Sequence, residues 1–295
     1  MAHSDPGAGA DASGRNRIAV IAGGGALPSA IVRTLRLGGH DPLVATVIGE
    51  ADETGYAGAD CFPVSVEDLG PLLARFRREG VGRVVMAGHI ERRPRLFSIR
   101  WSWRILASLP RAVVGLRRGD DALLRAVIGV MEANGIEVVA AHEIVPDLLA
   151  PEGLLTRTKP SARDLRDIEA GAQAARAIGR LDIGQAAIAI GGRAIALEGI
   201  EGTDGLLART AQMRGHGRLA GREGGVLVKC CKPQQDRRAD LPAIGPDTID
   251  EARKAGLSGI ALDAGASFIL EFERTVALAD SQGLFILGLK PEAKP

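Results

Sequence analysis

Residues 17–28, RIAVIAGGGALP, constrain the fold most, because they join a short apolar strand to a helix through three consecutive glycines. The helix is predicted from the amphipathic run SAIVRTLRLGG, whose two final glycines are typical of a helix end. A glycine turn at this place lets backbone N–H groups approach a phosphate. The pattern is not GxGxxG, which argues against NAD. A nucleotide or phosphate contact and a tight turn that simply requires glycine both stay open.

The first half of the chain alternates strands and helices, which predicts a doubly wound, parallel α/β sheet. Its apolar strands are predicted at residues 42–47, 60–66 and 83–87, with an amphipathic helix at 71–79. A further strand is predicted to run up to His142 and Glu143. Ligands of such sheets bind at the carboxyl ends of the strands, where the glycine turn and Gly88–His89 are expected.

The second half of the chain predicts a different α/β domain. Ser161 is expected to cap a helix, and Gly191–Gly192 to join two strands in a hairpin. A loop that contains Glu201, Thr203 and Asp204 is expected just before the next helix. We therefore predict a disordered tail at 1–16, an N-terminal domain at 17–147, a Pro- and Gly-rich linker at 148–160 and a C-terminal domain at 161–290.

Composition excludes several classes of protein. The 295 residues carry 37 basic and 36 acidic side chains, and this balance argues against a nucleic-acid partner. Cys61, Cys230 and Cys231 lack the spacing of a zinc site, so a reduced, cytoplasmic protein is expected. No apolar run reaches about 18 residues, so no transmembrane helix is predicted.

Residues 226–245, VLVKCCKPQQDRRADLPAIG, run from an apolar strand into a turn-rich, charged segment. Such segments commonly form anion or metal sites, although a solvated loop with salt bridges has the same composition. A second unusual stretch, 90–104, combines several arginines with Phe97, Trp101 and Trp103. It fits an acidic lipid interface, a substrate with acyl and phosphate groups, or simply a loop with core aromatics.

Six motifs in order resemble the LpxI family. They are IAGGGALP, GDDALLR at 119–125, AHE at 141–143, GRLDIGQ at 179–185, EGTDGLL at 201–207 and KPQQDRRADLPAIG at 232–245. The resemblance runs from about residue 17 to residue 289. It implies a Rossmann-like N-terminal domain and a distinct mixed α/β C-terminal catalytic domain, with the substrate in the interdomain cleft.

The resemblance also implies an activity and a cofactor. The expected reaction is Mg²⁺-dependent hydrolysis of the pyrophosphate bond of UDP-2,3-diacylglucosamine. Its products would be UMP and 2,3-diacylglucosamine 1-phosphate (lipid X), an intermediate of lipid A biosynthesis. An amphiphilic substrate leaves open a peripheral contact with the inner face of the inner membrane, and the sequence leaves open a homo-oligomer.

Roles for individual residues follow from the same resemblance. The essential family aspartate lies in an Asp-Leu-Pro motif and matches Asp240, which is expected to bind Mg²⁺ or to orient water. Asp204 and Glu201 are secondary catalytic candidates, whereas Asp236 matches a position that need not be acidic. The expected substrate and phosphate contacts are Gly23, Gly24, Gly25, Lys232, Gln235, Arg237, Arg238 and Thr203.

Two other functions stay open. One is a different nucleotide-sugar pyrophosphatase on the same scaffold. The other is a non-catalytic module that binds a nucleotide or a lipid. Comparing UDP-2,3-diacylglucosamine with unacylated UDP-sugars separates the expected enzyme from the first. Release of UMP that is lost on chelation excludes the second.

Overall fold

The computed structural model describes residues 17–90, 120–219, 221–238 and 240–290. Backbone contacts divide these residues into two units. The N-terminal unit contains the described residues up to Val145, together with Arg238 and Asp240. The C-terminal unit contains those from Pro146 to Arg237 and from Leu241 onward. The predicted tail and residues 91–104 of the Arg/Trp stretch lie outside the described residues, and the predicted linker at 148–160 stays a prediction.

The N-terminal unit is built on a parallel sheet. Its elements are β1 (Arg17–Ala22), α1 (Leu27–Leu37), β2 (Leu43–Val47), β3 (Asp60–Val64), α2 (Leu69–Arg78), β4 (Val81–Ala87), α3 (Asp120–Ala133), β5 (Glu137–Val138) and α4 (Ala141–Ile144). The strands pair in the order β3-β2-β1-β4-β5, all parallel. This order begins as a Rossmann sheet does, and it confirms the predicted α/β class.

Apolar packing explains why these segments form strands and helices. Strand β2 is buried along its whole length, as strands covered on both faces are. Helix α1 buries Ile31, Val32 and Leu35 on one side, and Pro28 stands in its first turn, where the missing N–H costs nothing. Phe76 of α2 lies in the same buried cluster as strand residues, so this helix is fixed by core packing.

Charged side chains join the amino-terminal ends of the strands. The guanidinium of Arg17, the first residue of β1, lies 3.3 Å from Asp41, 3.0 Å from Asp60 and 3.3 Å from Glu79. Asp60 begins β3, and Glu79 follows α2. The cluster therefore ties four segments together at the edge opposite the glycine turn.

The predicted strand through His142 and Glu143 is wrong. Strand β5 ends at Val138, and His142 and Glu143 lie on the short helix α4. The apolar run IEVV does form a strand, but this strand ends at Val138. Ala140 is the N-cap of α4, so the helix begins only three residues after the strand ends. Alanines on both sides of the change gave no signal of the helix start.

The C-terminal unit contains a mixed sheet. Its elements are β6 (Gly153–Leu154), α5 (Ala162–Arg180), β7 (Ala186–Ala189), β8 (Ala194–Leu197), α6 (Gly202–Met213), β9 (Val226–Lys229), β10 (Ala243–Ile244), α7 (Pro246–Lys254), β11 (Gly259–Asp263), β12 (Phe268–Ile269), α8 (Phe272–Gln282) and β13 (Phe285–Leu289). Six strands pair in the order β6-β13-β11-β9-β7-β8. The central strands β9, β11 and β13 are parallel, whereas β6, β7 and β8 pair antiparallel. Strands β10 and β12 form a separate parallel pair.

Both faces of the mixed sheet are buried. Alternate residues of β9 belong to two different apolar clusters, one on each face. Leu227 packs with residues of α6, α7 and α8 on one face. Val226 and Val228 pack with Ile168 and Ala172 of α5 on the other. This layering confirms the distinct mixed α/β class predicted for the second domain.

Two local predictions in this unit are confirmed. The Ser161 side chain accepts a hydrogen bond from Asp164 N and closes a capping box at the start of α5. Gly191 and Gly192 have φ of 68° and 79°, as a tight hairpin turn between β7 and β8 requires. Asp167 of α5 is fully buried beneath this turn, and its Oδ1 accepts a hydrogen bond from the Gly192 N–H.

Helix α5 approaches the sheet closely at Gly171. A Cβ built there would lie 2.5 Å from Cγ2 of Val228, a stiff side chain in the buried strand β9. We expect Gly171→Ala to lower the free energy of unfolding by about 1–3 kcal/mol through overpacking. Gly129→Ala is the matched control, since nothing lies within 4 Å of a Cβ at this exposed helical position. It should stabilise the protein by about 1 kcal/mol. Urea unfolding of both variants tests this, and equal effects would contradict it.

Asp167 makes stability depend on pH. Burial raises the pKa of its carboxyl, and the hydrogen bond from Gly192 opposes that shift. The folded state therefore holds this proton more tightly than the unfolded chain does, and the contribution of Asp167 falls as pH rises above about 4. We expect the unfolding free energy of wild type minus that of Asp167→Asn to decrease as pH rises from about 4. Urea titrations at several pH values measure it.

Asp280 supplies a control of opposite sign. The backbone N–H of Arg157, and then its side chain, lower the pKa of the Asp280 carboxyl. Its contribution is therefore present above the ordinary carboxyl pKa and is lost as pH falls. The difference between wild type and Asp280→Asn should decrease on acidification below about pH 4. The same slope for both variants would show that the assignment for Asp167 is wrong.

Candidate functional site

Four chain segments reach one edge of the mixed sheet. Lys229, the last residue of β9, pairs with Leu262 of β11 and with Ala186 at the start of β7. The end of β8 lies beside the start of β7, because these strands are antiparallel. We call this edge the polar edge, and it comprises residues 182–185, Glu198, residues 230–235 and Asp263.

Lys232 is held at the polar edge by an ion pair. Its Nζ lies 2.6 Å from Oδ1 of Asp182, and the two side chains are only 12% and 16% exposed. Asp182 belongs to the GRLDIGQ motif, and Lys232 begins the KPQQ segment. The pair therefore connects two of the motifs that suggested the family.

Asp263 fixes the backbone that precedes Lys232. Its Oδ2 accepts a hydrogen bond of 3.0 Å from the Cys231 N–H, and its Oδ1 lies 3.2 Å from the guanidinium of Arg176 on α5. Asp263 ends β11, so the parallel pairing of β9 and β11 brings this carboxylate to the chain leaving β9. The backbone next to Lys232 is thus held in place by its hydrogen bond to Asp263.

Glu198 connects the GRLDIGQ motif with a third motif, EGTDGLL. It is buried, and its Oε2 accepts a 2.6 Å hydrogen bond from the Gln185 N–H while its Oε1 accepts one of 2.7 Å from Thr203 Oγ1. The loop before β7 also packs directly against it, because a Cβ on Gly184 would lie 2.5 Å from the Glu198 carbonyl oxygen. Both oxygens of this carboxylate are occupied by structural contacts.

Thr203 and Asp204 lie on a helix rather than in the predicted loop. Helix α6 begins at Gly202, so both residues are in its first turn, where an acidic side chain is favoured. Asp204 is exposed. Glu201 stands at the N-cap and pairs with Arg209 at 2.7 Å. Thr203 therefore contacts the polar edge through its hydrogen bond to Glu198. Glu201 instead pairs with Arg209 of the helix that it caps.

The glutamines of the KPQQ segment also have defined contacts. Gln235 is buried, and its Oε1 accepts a hydrogen bond of 3.3 Å from the Lys232 N–H. Gln234 Nε2 donates to the Gly179 carbonyl oxygen at the end of α5, at 2.7 Å. Arg237 is exposed. Gln235 thus orders the turn, while Arg237 is accessible to a ligand.

The glycine turn of the N-terminal unit is packed against Gly88–His89. The Gly23 N–H donates to the Ala87 carbonyl oxygen and the Gly24 N–H to that of His89, each at 2.8 Å. A Cβ on Gly24 would lie 2.6 Å from the His89 imidazole. Gly25 is exposed, with φ of 89°. Gly23 and Gly24 are therefore required for close packing against Gly88–His89. Gly25 is the exposed member of the three.

Arg238 and Asp240 belong to the N-terminal unit. Arg238 lies 2.6 Å from Oε1 of Glu132, near the end of α3. Asp240 is exposed and precedes the buried Leu241. Among the described residues, no group of three or more His, Cys, Asp or Glu side chains is arranged to hold a metal ion.

Several residues of the polar edge carried no role in the sequence-based predictions. Asp182 lies inside a quoted motif, and Glu198 ends a correctly predicted hairpin, but neither was singled out. Asp263 could have been found, because it ends a predicted strand and parallel strands present their carboxyl ends together. Arg176 had no signal, since an arginine on an amphipathic helix is normally a solvated residue.

The fold and the polar edge define a two-unit α/β protein with a charged cluster at the ends of parallel strands. The family model described as the LpxI N-terminal domain matches residues 17–148, and the LpxI C-terminal domain matches residues 151–287. The protein described as UDP-2,3-diacylglucosamine pyrophosphatase LpxI of Caulobacter vibrioides is 39% identical over 285 residues, covering 95% of this chain and 99% of that protein. The chain belongs to the LpxI family.

Solved structures give weaker similarities. CobK precorrin-6A reductase is 13% identical with a TM-score of 0.34, covering 95% of this chain and 89% of its own. A Thermus thermophilus UDP-glucose 4-epimerase in complex with NAD is 14% identical with a TM-score of 0.32, covering 95% and 88%. These scores carry no argument about fold or function. In the part of the chain that the structure describes, no helix is long and apolar enough to span a membrane.

The double hydrogen bond of Glu198 should be important for stability. Glu198→Ala leaves the Gln185 N–H and the Thr203 hydroxyl without their buried acceptor, so we expect a loss of roughly 2–4 kcal/mol in unfolding free energy. Glu251→Ala is the control, because this residue on α7 pairs with Lys254 at an exposed position. The control should change stability little. Urea unfolding measures both, and a neutral Glu198→Ala would argue against a fixed polar edge.

Proposed function

We propose that this chain hydrolyses the pyrophosphate bond of UDP-2,3-diacylglucosamine to UMP and 2,3-diacylglucosamine 1-phosphate in lipid A biosynthesis. The chain is an enzyme of the LpxI family, and its Caulobacter relative is named for this pyrophosphatase activity. The proposal extends the substrate of that relative to this chain, and it adds the products and the dependence on Mg²⁺.

The observation that carries the proposal is the assembly of separate family motifs at the polar edge. Asp182 and Lys232 join two of them, and the Glu198 contacts with Gln185 and Thr203 join a third. A pyrophosphate substrate needs cationic groups in fixed positions, because charge accumulates on its oxygens during hydrolysis. Lys232 is such a group, and Arg237 is an exposed guanidinium that follows it closely in sequence.

Apolar side chains beside the polar edge fit the acyl part of the substrate. Leu181, Ile183 and Ile200 are 70%, 53% and 93% exposed. Leu181 and Ile183 flank Asp182, and Ile200 follows Glu198 by two residues. Exposed apolar residues that adjoin a charged cluster suit an amphiphilic ligand. They also support the proposal of a peripheral membrane contact, where such a substrate is drawn from the bilayer.

We propose Asp240 as the carboxylate that binds Mg²⁺ or orients the attacking water. Mg²⁺ is usually held by one or two carboxylates together with substrate phosphates and water, so a single exposed aspartate fits this mode of binding. When bound, the ion would neutralise phosphate charge and activate water. Asp204, exposed in the first turn of α6, is the secondary candidate. Glu201 ranks below it, because its carboxylate is paired with Arg209.

The glycine turn is proposed to contact the uridine diphosphate portion of the substrate. Gly23 and Gly24 use their N–H groups within the fold, so Gly25 is the glycine that we expect to meet a phosphate oxygen.

Asp240→Ala tests the assignment. We expect it to lower the release of UMP from UDP-2,3-diacylglucosamine by roughly a thousandfold without unfolding the protein. Asp236→Ala is the matched control in the same segment and should keep turnover close to that of wild type. The activity of wild type should be lost with a chelator and restored by added Mg²⁺.

The substrate class is tested in the same assay. UDP-N-acetylglucosamine, which lacks the acyl chains, should be a much poorer substrate than the diacylated sugar. Equal rates on both would contradict the acyl-binding role, and near-normal turnover by Asp240→Ala would show that another group performs its function.

A further inference from the structure

The end of helix α5 has an unusual residue at a defined position. The Asp182 N–H donates to the Gly179 carbonyl oxygen and the Ile183 N–H to that of Ile178, both at 3.1 Å. This pair of bonds is the Schellman motif, in which the residue at the position of Asp182 has left-handed backbone. Asp182 has φ of 56°. Glycine is the residue that adopts this conformation without steric cost.

Other helices of this chain use glycine at the same position. Helices α1, α3, α7 and α8 end in the same pair of hydrogen bonds, with Gly39, Gly135, Gly256 and Gly283 in place of Asp182. Their φ values lie between 67° and 78°. The helix end of α5 therefore accepts a strained residue where the local geometry favours glycine. Strain of this kind suggests that the side chain is needed.

The side chain of Asp182 makes one contact that glycine could not make. Its carboxylate lies 2.6 Å from Nζ of Lys232, and both side chains are largely buried. The backbone around Lys232 is held by other bonds, namely Gln234 to Gly179 and Cys231 to Asp263. Asp182 is thus placed to fix the ammonium group rather than the chain that carries it.

We propose that Asp182 is a positioning residue for the reaction, which holds the Lys232 ammonium group where the pyrophosphate of the substrate binds. The inference rests on the proposed function, and it adds a residue to which no role was assigned. A lysine side chain is flexible, so a fixed partner reduces the cost of ordering it when substrate binds.

Asp182→Gly separates this role from a structural one. The substitution relieves the left-handed strain, which offsets part of the cost of removing a largely buried carboxylate, so the protein should stay folded with a somewhat lower melting temperature. We expect the affinity for UDP, measured by isothermal titration, and kcat/KM for UDP-2,3-diacylglucosamine to fall by roughly tenfold to a hundredfold, because a displaced contact group costs rate and binding.

The chain supplies a matched control. Glu271 has φ of 47° at the start of α8, and its carboxylate pairs with Arg274 at an exposed position. Glu271→Gly relieves the same kind of strain outside the polar edge, and it should leave UDP affinity and turnover unchanged. A loss of activity in both variants would assign the effect to altered stability and would overturn the proposal.

A double-mutant cycle with Lys232→Met identifies the partner through which Asp182 acts. If the carboxylate works by fixing Lys232, Asp182→Gly should add little to the loss already caused by Lys232→Met. Additive losses would overturn the proposal. So would tighter UDP binding by Asp182→Gly, the result expected if the carboxylate merely repels phosphate.

The two proposals fail in different ways. If wild type binds UDP but releases no UMP from the acylated substrate, the proposed function is wrong, and the UDP affinities of the variants still decide the role of Asp182. If wild type releases UMP but Asp182→Gly loses neither UDP affinity nor kcat/KM, the role of Asp182 is overturned and the proposed function stands.

Discussion

The parallel pairing of β9 with β11 is the constraint on which the candidate site depends. It brings Asp263, the last residue of β11, to the chain that leaves β9, where the carboxylate binds the Cys231 N–H. The antiparallel pairing of β7 with β9 brings the end of α5 to the same place. A shift of one residue in either register would turn alternate apolar residues of β9 out of their clusters, so core packing and site geometry are enforced together.

The polar edge contains paired polar side chains with little exposure. Each carboxylate there has a specific donor: Lys232 for Asp182, Arg176 for Asp263, and Gln185 with Thr203 for Glu198. Pairs of this kind add little net stability, since desolvation offsets attraction, but removing one partner is costly. They therefore define one arrangement of the loops, which a substrate with several phosphate oxygens requires.

The fold could be predicted from the sequence because its signals are local. Glycine turns, apolar strands and the Ser161 cap each lie within a few residues, and the parallel sheet and the hairpin followed from them. The motif segments could also be predicted, yet their contacts could not. The bond from Glu198 to Gln185 and the pair of Lys232 with Asp182 join residues whose proximity depends on strand order. The helical position of His142 was missed because alanine-rich sequence marks no boundary.

The membership of Arg238 and Asp240 in the N-terminal unit has an evolutionary consequence. That unit is assembled from two separate parts of the gene, and one of them lies inside the coding sequence of the C-terminal unit. A fragment that ends at Val145 lacks both side chains, however well its sheet folds. Simple recombination could not exchange this Rossmann-type unit for another one and keep Asp240 in its own context. The carboxylate proposed to bind Mg²⁺ is thus supplied by a chain segment that lies between two parts of the C-terminal unit.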